Sequence, residues 1–343
     1  MKTSRLILSL IILGFFYSCS YHQDNFAANE SSFIPISNNN IYDGDLYSGD
    51  NYNEVVENPF IYVSEEPIST FSIDADGASY ANMRRYVLQE HRLPPSSAVR
   101  TEEFINYFNL NYDVSDTTHP VSLNGEVSQC PWNELNKLVR IGIRGKTVAA
   151  DELPRSNFIF LIDVSGSMAS EDKLELLKNG FKLFVDELKD SDRVAIVTYA
   201  GSAGVVLEST SGDDKDKIKR AINSLGSSGS TAGAEGIITA YEIAQQNFIQ
   251  GGNNRIILGT DGDFNVGPSS QEELINLVET KRDLGVFLTV LGVGRGNLNE
   301  GTLEQITNNG NGNYEYLDNI EQLRKVFIYE YSKFLTVAKD VKV

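Results

Sequence analysis

The sequence predicts an α/β protein: a doubly wound, mostly parallel sheet with helices on both faces, preceded by a smaller α+β region. Between residues 156 and 335, short apolar runs alternate with longer amphipathic segments, which is the order of repeated βα units. The first run, 158–162, is Phe-Ile-Phe-Leu-Ile, and such unbroken runs are typical of parallel strands buried on both faces. At 343 residues, the chain is long enough for about two domains.

The alternation in the second region predicts each element in turn. Apolar runs predict strands at 158–162, 193–199, 255–260, 286–293 and 314–316, with 204–207 as an edge hairpin after the second strand. Helical spacing predicts helices at 173–188, 215–225, 232–248, 271–284, 299–307 and 319–334. Because strand and helix alternate throughout, the strands are expected to pair mostly in parallel.

The region 65–150 predicts a smaller α+β unit. We expect a strand at 70–74, helices at 78–90 and 100–108, and a hairpin of two strands at 121–127 and 138–144. Asp74-Ala75-Asp76-Gly77 has the opening residues of a calcium loop, but the later ligands and the closing Glu are missing. We therefore interpret it as a turn that caps the following helix.

The first nineteen residues predict export. Lys2 and Arg5 precede an apolar stretch, 6–16, that is too short to span a bilayer. The following Ser18-Cys19 resembles the lipobox of bacterial lipoproteins, which implies acylation at Cys19; a plain secretory signal is the alternative. Ser20 is not the Asp that retains such lipoproteins in the inner membrane, so we expect an outer-membrane anchor facing the periplasm or the cell surface.

The charge of the chain limits the class of partner that it can bind, and its cysteine count limits its disulfides. The net charge of −18 argues against nucleic acid and favours cations or basic surfaces. No Lys or Arg occurs between Arg5 and Arg84, and 20–64 is polar and acidic, which predicts a disordered tether. Cys130, the only cysteine besides Cys19, is expected to be a lone buried thiol.

Oxygen-bearing side chains follow two of the buried runs. The run 158–162 ends in Asp163-Val-Ser165-Gly-Ser167, and the run 255–260 ends in Asp261-Gly. Ligands of open α/β sheets bind at the carboxyl ends of the strands, so Asp163 and Asp261 are expected to face each other if these strands are neighbours. The polar loop 226–233 would bring Thr231 beside them. These hard oxygen donors suit Mg²⁺, with Mn²⁺ or Ca²⁺ as alternatives.

In order and spacing, these donors match a known motif. Asp163-x-Ser165-x-Ser167, Thr231 and Asp261 resemble the metal-ion-dependent adhesion site (MIDAS) of von Willebrand factor type A domains. The resemblance covers 156–335, and the stretches 230–233 and 260–267, with the segment 70–112, are similar to the bacterial YfbK-like subgroup. It implies a Rossmann-like fold and a C-terminal region, of which 336–343 would be the start.

The resemblance also implies how the site works. The hydroxyls of Ser165, Ser167 and Thr231 would bind the metal directly, and Asp163 and Asp261 would act mainly through water. An open metal position would then bind an Asp or Glu carboxylate of a partner protein. We therefore expect a cell-envelope lipoprotein that binds a protein partner through Mg²⁺ and is not an enzyme; the sequence does not predict its oligomeric state.

Other functions fit the sequence less well. A phosphoryl-acceptor role for Asp163, as in haloacid-dehalogenase-like phosphatases, needs a second Asp where Ser165 stands. A serine nucleophile lacks a base, because no His follows His119. Gly292-Val-Gly294-Arg-Gly296 lacks the full glycine spacing of a dinucleotide site and is interpreted as a loop. An envelope scaffold whose domain packs without metal, and a hydrolase with an unrecognised site, remain as alternatives.

The lipid anchor can be tested directly. Cys19→Ala is expected to move the protein from the membrane fraction to the soluble fraction, because the acylation site is lost. Cys130→Ala is the matched control and should stay with the membranes. Sedimentation of Cys19→Ala with the membranes would rule out the anchor.

Overall fold

The computed structural model describes residues 49–54, 58–70, 76–110, 112, 119–146, 152–229, 233–262 and 271–335. All of them belong to the second of the two units into which the chain divides, residues 43–343. None of the helices in these ranges combines the length and the apolar character needed to cross a membrane.

A six-stranded sheet forms the centre of this unit. Its strands are β3 (Ser156–Asp163), β4 (Arg193–Tyr199), β5 (Ala203–Ser211), β6 (Asn253–Thr260), β7 (Val286–Val293) and β8 (Tyr314–Leu317), in the spatial order β5-β4-β3-β6-β7-β8. All neighbours pair in parallel except β5, which returns antiparallel to β4. The predicted fold class and the predicted edge hairpin are therefore confirmed.

Helices cover the sheet on both faces. They are α3 (Leu176–Glu187), α4 (Lys215–Asn223), α5 (Gly233–Gln246), α6 (Gln271–Asp283), α7 (Glu300–Asn309) and α8 (Ile320–Arg324). Side chains alternate along β3, so Phe158, Phe160 and Ile162 pack with the core that includes α3, while Ile159 and Leu161 pack with the core that includes α5. Burial on both faces explains why β3 is an unbroken apolar run.

Two of the predicted helices are interrupted. A π turn, Glu171–Glu175, precedes α3, where we expected one helix from 173 to 188. The helix predicted at 319–334 is divided into α8, a π turn at Lys325–Tyr329 and a 3₁₀ turn at Tyr331–Phe334. In this divided form Phe327, Tyr331 and Phe334 all contact the ring of Phe184, so aromatic packing accompanies the departure from one regular helix.

The smaller N-terminal region contains α1 (Ala78–Leu88), a 3₁₀ turn (Ser96–Ala98), α2 (Thr101–Asn106) and the antiparallel pair β1 (Val121–Gln129) and β2 (Lys137–Gly145). The hairpin is as predicted, whereas residues 71–74 of the strand predicted at 70–74 lie outside the described residues. Cys130, after β1, is a buried free thiol.

The contacts of Asp76 differ from the helix-capping turn that was predicted at 74–77. The turn before α1 is not capped by this side chain, since α1 has no side-chain cap at its N-terminus. Asp76 is instead buried and accepts a hydrogen bond of 3.0 Å from the backbone N–H of Tyr314 in β8. The acid therefore joins the N-terminal region to the edge of the sheet.

Residues 49–54 also differ from expectation. They lie inside the predicted tether 20–64, yet Asn51 forms a parallel bridge with Asn299 and donates its N–H to the carbonyl of Leu298 at 2.7 Å. This part of the predicted tether is docked rather than free. The remaining domain boundaries stay predictions.

The aromatic core gives a stability prediction. Phe184→Ala should lower the free energy of unfolding by about 3–5 kcal/mol, because the side chain is fully buried among other aromatic rings. Leu135→Ala, at a side chain that is 95% exposed, should change it by less than about 0.5 kcal/mol. Urea denaturation of both variants measures the difference, and equal midpoints would contradict the packing described.

Candidate functional site

The candidate site lies where β3 and β6 end. These strands are parallel neighbours, with Ile162 opposite Gly259, so Asp163 and the Thr260-Asp261 pair emerge at the same edge. The chain leaves β3 towards β4 on one side and leaves β6 towards β7 on the other. This is the topological switch point of the sheet, where α/β folds commonly bind ligands.

Asp163 is a fully buried carboxylate that organises the loop after β3. Its Oδ1 accepts the backbone N–H of Ser165 at 2.9 Å, and its Oδ2 accepts the hydroxyl of Thr260 at 3.1 Å. Burial raises the pKa of Asp163, and the nearby charge of Asp261 raises it further, although the bonds from Ser165 and Thr260 oppose this. An added cation would relieve this unfavourable charge.

The two serines of the loop face each other. The hydroxyl oxygens of Ser165 and Ser167 lie 3.0 Å apart. Two adjacent ligands of an octahedral Mg²⁺ would be separated by about 2.9 Å, given metal–oxygen distances near 2.0–2.1 Å. The spacing of this pair therefore fits a small hard cation.

Asp261 is held by a cation that the chain itself supplies. Lys173, in the π turn before α3, donates from Nζ to Asp261 Oδ2 at 3.0 Å and to Asn297 Oδ1 at 2.9 Å. The Lys173 side chain is 9% exposed and that of Asp261 is fully buried. Burial opposes ionisation of Asp261, but hydrogen bonds from Asn297 and Lys173, together with the Lys173 charge, outweigh it and lower its pKa.

A third loop reaches the same edge from the start of α5. The N–H of Ser228 donates to the carbonyl of Val164 at 2.7 Å, and the N–H of Gly166 donates to the carbonyl of Gly229 at 3.0 Å. Gly229 has a φ of 85°, a conformation that favours glycine. Thr231, which was predicted to arrive from this loop, lies outside the described residues.

The structure thus brings together the predicted residues Asp163, Ser165, Ser167 and Asp261. Their role as metal ligands stays a prediction. In the described part of the chain, no group of three or more His, Cys, Asp or Glu side chains could hold a metal ion. The candidate site is not a group of that type, because two of its four described donors are serine hydroxyls.

Three contributors were missed by sequence reasoning. Lys173 was interpreted only as a helix start and Thr260 only as the end of a strand, and Asn297 was assigned to no element. Nothing in the sequence indicated that Lys173 or Asn297 would join the site.

Two family models match the chain. The model described as "von Willebrand factor" matches residues 47–140, and the model described as "von Willebrand factor type A domain" matches residues 157–327. The two matches follow each other along the chain, so together they account for both the smaller N-terminal region and the sheet domain.

Curated relatives extend this similarity. The chain is 44% identical over 299 residues to "Uncharacterized protein YfbK" of Escherichia coli K12, covering 85% of this chain and 52% of that protein. It is 31% identical over 152 residues to a "UPF0353 protein" of Mycobacterium sp. strain KMS, covering 41% of this chain and 45% of that protein. The chain spans about half the length of these curated relatives.

Solved structures are similar in part. BatB from Bacteroides thetaiotaomicron is 26% identical with a TM-score of 0.45, over 52% of this chain and 98% of that one. Proximal thread matrix protein 1 from the mussel byssus, in a structure described as having a zinc-occupied MIDAS motif, is 25% identical with a TM-score of 0.42. That similarity covers 53% of this chain and 46% of the mussel chain.

The internal cation gives a prediction for the metal-free protein. With EDTA present, Lys173→Met should lower the free energy of unfolding by roughly 3 kcal/mol, because the buried charge of Asp261 loses its partner. The double variant Lys173→Met/Asp261→Asn should recover part of that loss, which a double-mutant cycle of urea midpoints measures. Additive losses would mean that the ion pair contributes nothing.

Proposed function

Because the chain belongs to the von Willebrand factor type A domain family, whose domains commonly mediate protein interactions, we propose that it binds a partner protein through a divalent cation. The cation is held at the edge formed by β3 and β6, and Mg²⁺ is the ion that the donor set favours. The partner contributes an Asp or Glu carboxylate.

One observation carries this proposal: two carboxylates and two facing hydroxyls gather at the switch point of the sheet. Ser165 and Ser167, 3.0 Å apart, and Thr231 are the residues proposed to hold the metal directly. Asp163 and Asp261 supply negative charge and act through water. When bound, the metal supplies a Lewis-acidic position for a partner oxygen.

Asp163 has a second task in this proposal. By accepting from the backbone of Ser165, it fixes the loop so that both serine hydroxyls lie on one side. Because the direct protein ligands would be neutral hydroxyls, with both carboxylates acting through water, the cation would stay electrophilic at its open position, which favours an anionic ligand. A chain of net charge −18 repels acidic proteins, so a bridging cation explains how it would bind one.

We also propose where this binding takes place. The predicted signal peptide 1–19, with acylation at Cys19, would anchor the chain at the outer membrane, facing the periplasm or the cell surface. The domain plan proposed with it is a tether in the part of 20–64 that precedes the docked residues 49–54, an N-terminal region at 65–150, and the type A domain at 156–335.

A second candidate follows from Lys173. This lysine already neutralises Asp261, so the domain could pack as an envelope scaffold without metal. Catalysis is not proposed, because no His follows His119, so the region 156–335 supplies no imidazole base for Ser165 or Ser167. Metal titration separates binding from scaffolding.

The metal prediction concerns the full chain in isothermal titration with MgCl₂. The wild-type protein should bind one Mg²⁺, and Asp163→Ala should weaken binding by about tenfold or more, because it removes charge and releases the serine loop. Asp213→Ala is the matched control, since Asp213 is exposed and lies beyond β5. An unchanged isotherm for Asp163→Ala would refute the site.

The partner prediction uses capture from a cell-envelope extract. Binding should disappear with EDTA and return with Mg²⁺, and it should be weakened by Thr231→Ala while the urea midpoint is unchanged. A partner whose binding ignores both EDTA and Asp163→Ala would favour the scaffold function instead.

A further inference from the structure

Residues 49–54, here called the strap, lie against the loop that reaches the candidate metal site. Asp50 is the main contact: its Oδ1 accepts the N–H groups of Gly296 at 2.7 Å and Leu298 at 3.1 Å. The backbone of Asn51 adds a bond to the carbonyl of Leu298. The strap therefore satisfies three backbone groups of residues 294–298, here called the glycine loop: the N–H groups of Gly296 and Leu298 and the carbonyl of Leu298.

The strap is itself held by α1. The Oδ2 of Asp50 accepts from Arg85 at 2.8 Å and from the hydroxyl of Tyr86 at 3.3 Å, and the side chains of Asp50 and Arg85 are both buried. One carboxylate thus joins the strap, the helix and the glycine loop. Arg85 also pairs with Glu90 at 3.0 Å, so neutralising Asp50 would leave Arg85 with a counter-ion.

The glycine loop touches the site at its other side. Asn297 accepts from Lys173 and hydrogen-bonds Asp261, so it contacts both members of the ion pair. Gly294 has a φ of 73°, and a Cβ on it would lie 2.3 Å from Lys173 Cε. The loop is therefore folded closely over Lys173, and only glycine fits there.

Gly262, the residue after Asp261, also lies close to the end of the glycine loop. A Cβ on Gly262 would lie 2.4 Å from the backbone nitrogen of Asn299, the residue that the strap bridges. The contacts from Asp50 to Asp261 are thus continuous. Because the loop has two glycines at positive φ, its conformation depends on the groups that hold it.

We propose that Asp50 is a positioning residue for the metal site: it holds the glycine loop so that Asn297 and Lys173 orient Asp261. This proposal rests on the proposed function for its metal, but the coupling itself is built into the chain. Mutation of a side chain that orients a metal-binding carboxylate commonly lowers metal affinity by 10- to 100-fold. By reciprocity, metal binding should in turn stabilise the docked strap.

The first experiment needs no metal. The full chain is acetylated briefly with EDTA present, and modification of each lysine is measured by mass spectrometry. Asp50→Ala should raise the modification of Lys173 by roughly threefold or more, because the N–H groups of Gly296 and Leu298 lose their acceptor and the released loop opens over it. Lys178 is the internal control: it is equally buried, and it bonds to Glu175 and to the carbonyl of Leu225, away from the strap.

The second experiment adds Mg²⁺. Asp50→Ala and Asn297→Ala should each weaken Mg²⁺ binding by roughly tenfold, and the double variant should bind no more weakly than either one. Hydrogen exchange of the amides in 49–54 should slow when Mg²⁺ is added to the wild-type protein. Asp213→Ala, at an exposed acid, should match the wild type in every measurement.

The outcomes are distinct. Modification of Lys173 in Asp50→Ala at the wild-type level would overturn the coupling, whether or not amide exchange at 49–54 becomes faster. Equal rises at Lys173 and Lys178 would assign Asp50 to overall stability and overturn it as well. If the wild-type protein binds no Mg²⁺, the proposed function fails, while the acetylation result still decides whether the strap positions Lys173.

Discussion

The burial of two carboxylates at the ends of neighbouring strands is the constraint on which this site depends. Asp163 and Asp261 are both fully buried; burial raises the pKa of Asp163, and the nearby charge of Asp261 raises it further. Charges in such a place need partners, since an unpaired buried charge is strongly destabilising. Hydrogen bonds from Ser165 and Thr260 stabilise the carboxylate of Asp163, and the ammonium of Lys173 stabilises that of Asp261.

The pairing of buried charged groups also determines how the N-terminal region is attached to the sheet domain. Arg84 pairs with Asp318, Arg100 pairs with Glu304, and Asn82 donates to the buried carboxylate of Glu300. Burial raises the pKa of Glu300 well above its usual value, and the charges of Glu103 and Glu304 add to this, so a neutral amide is a suitable partner. These polar pairs favour one position of α1 relative to the sheet, because the buried groups would lose their partners in another position.

These two sets of contacts meet around the glycine loop. The strap and α1 hold one side of the loop, and Lys173 and Asn297 join its other side to Asp261. A site formed only by loops at a strand edge would be loosely held, whereas here a neighbouring region supports one of its acids. This arrangement gives the N-terminal region a physical connection to the chemistry of the sheet edge.

The sequence by itself determined the α/β class and the positions of its strands along the chain, because strands buried on both faces must be apolar throughout and stand out between amphipathic helices. It also located Asp163, Ser165, Ser167 and Asp261, since polar residues directly after such strands must collect at one edge. Contacts between residues far apart in sequence leave no such periodic signal. Only the tertiary structure therefore showed that Lys173 neutralises Asp261, that Asp76 bonds to β8 rather than capping α1, and that Asp50 docks on the glycine loop. Each of these contacts joins single polar groups, and which groups pair is decided by where the packed elements place them.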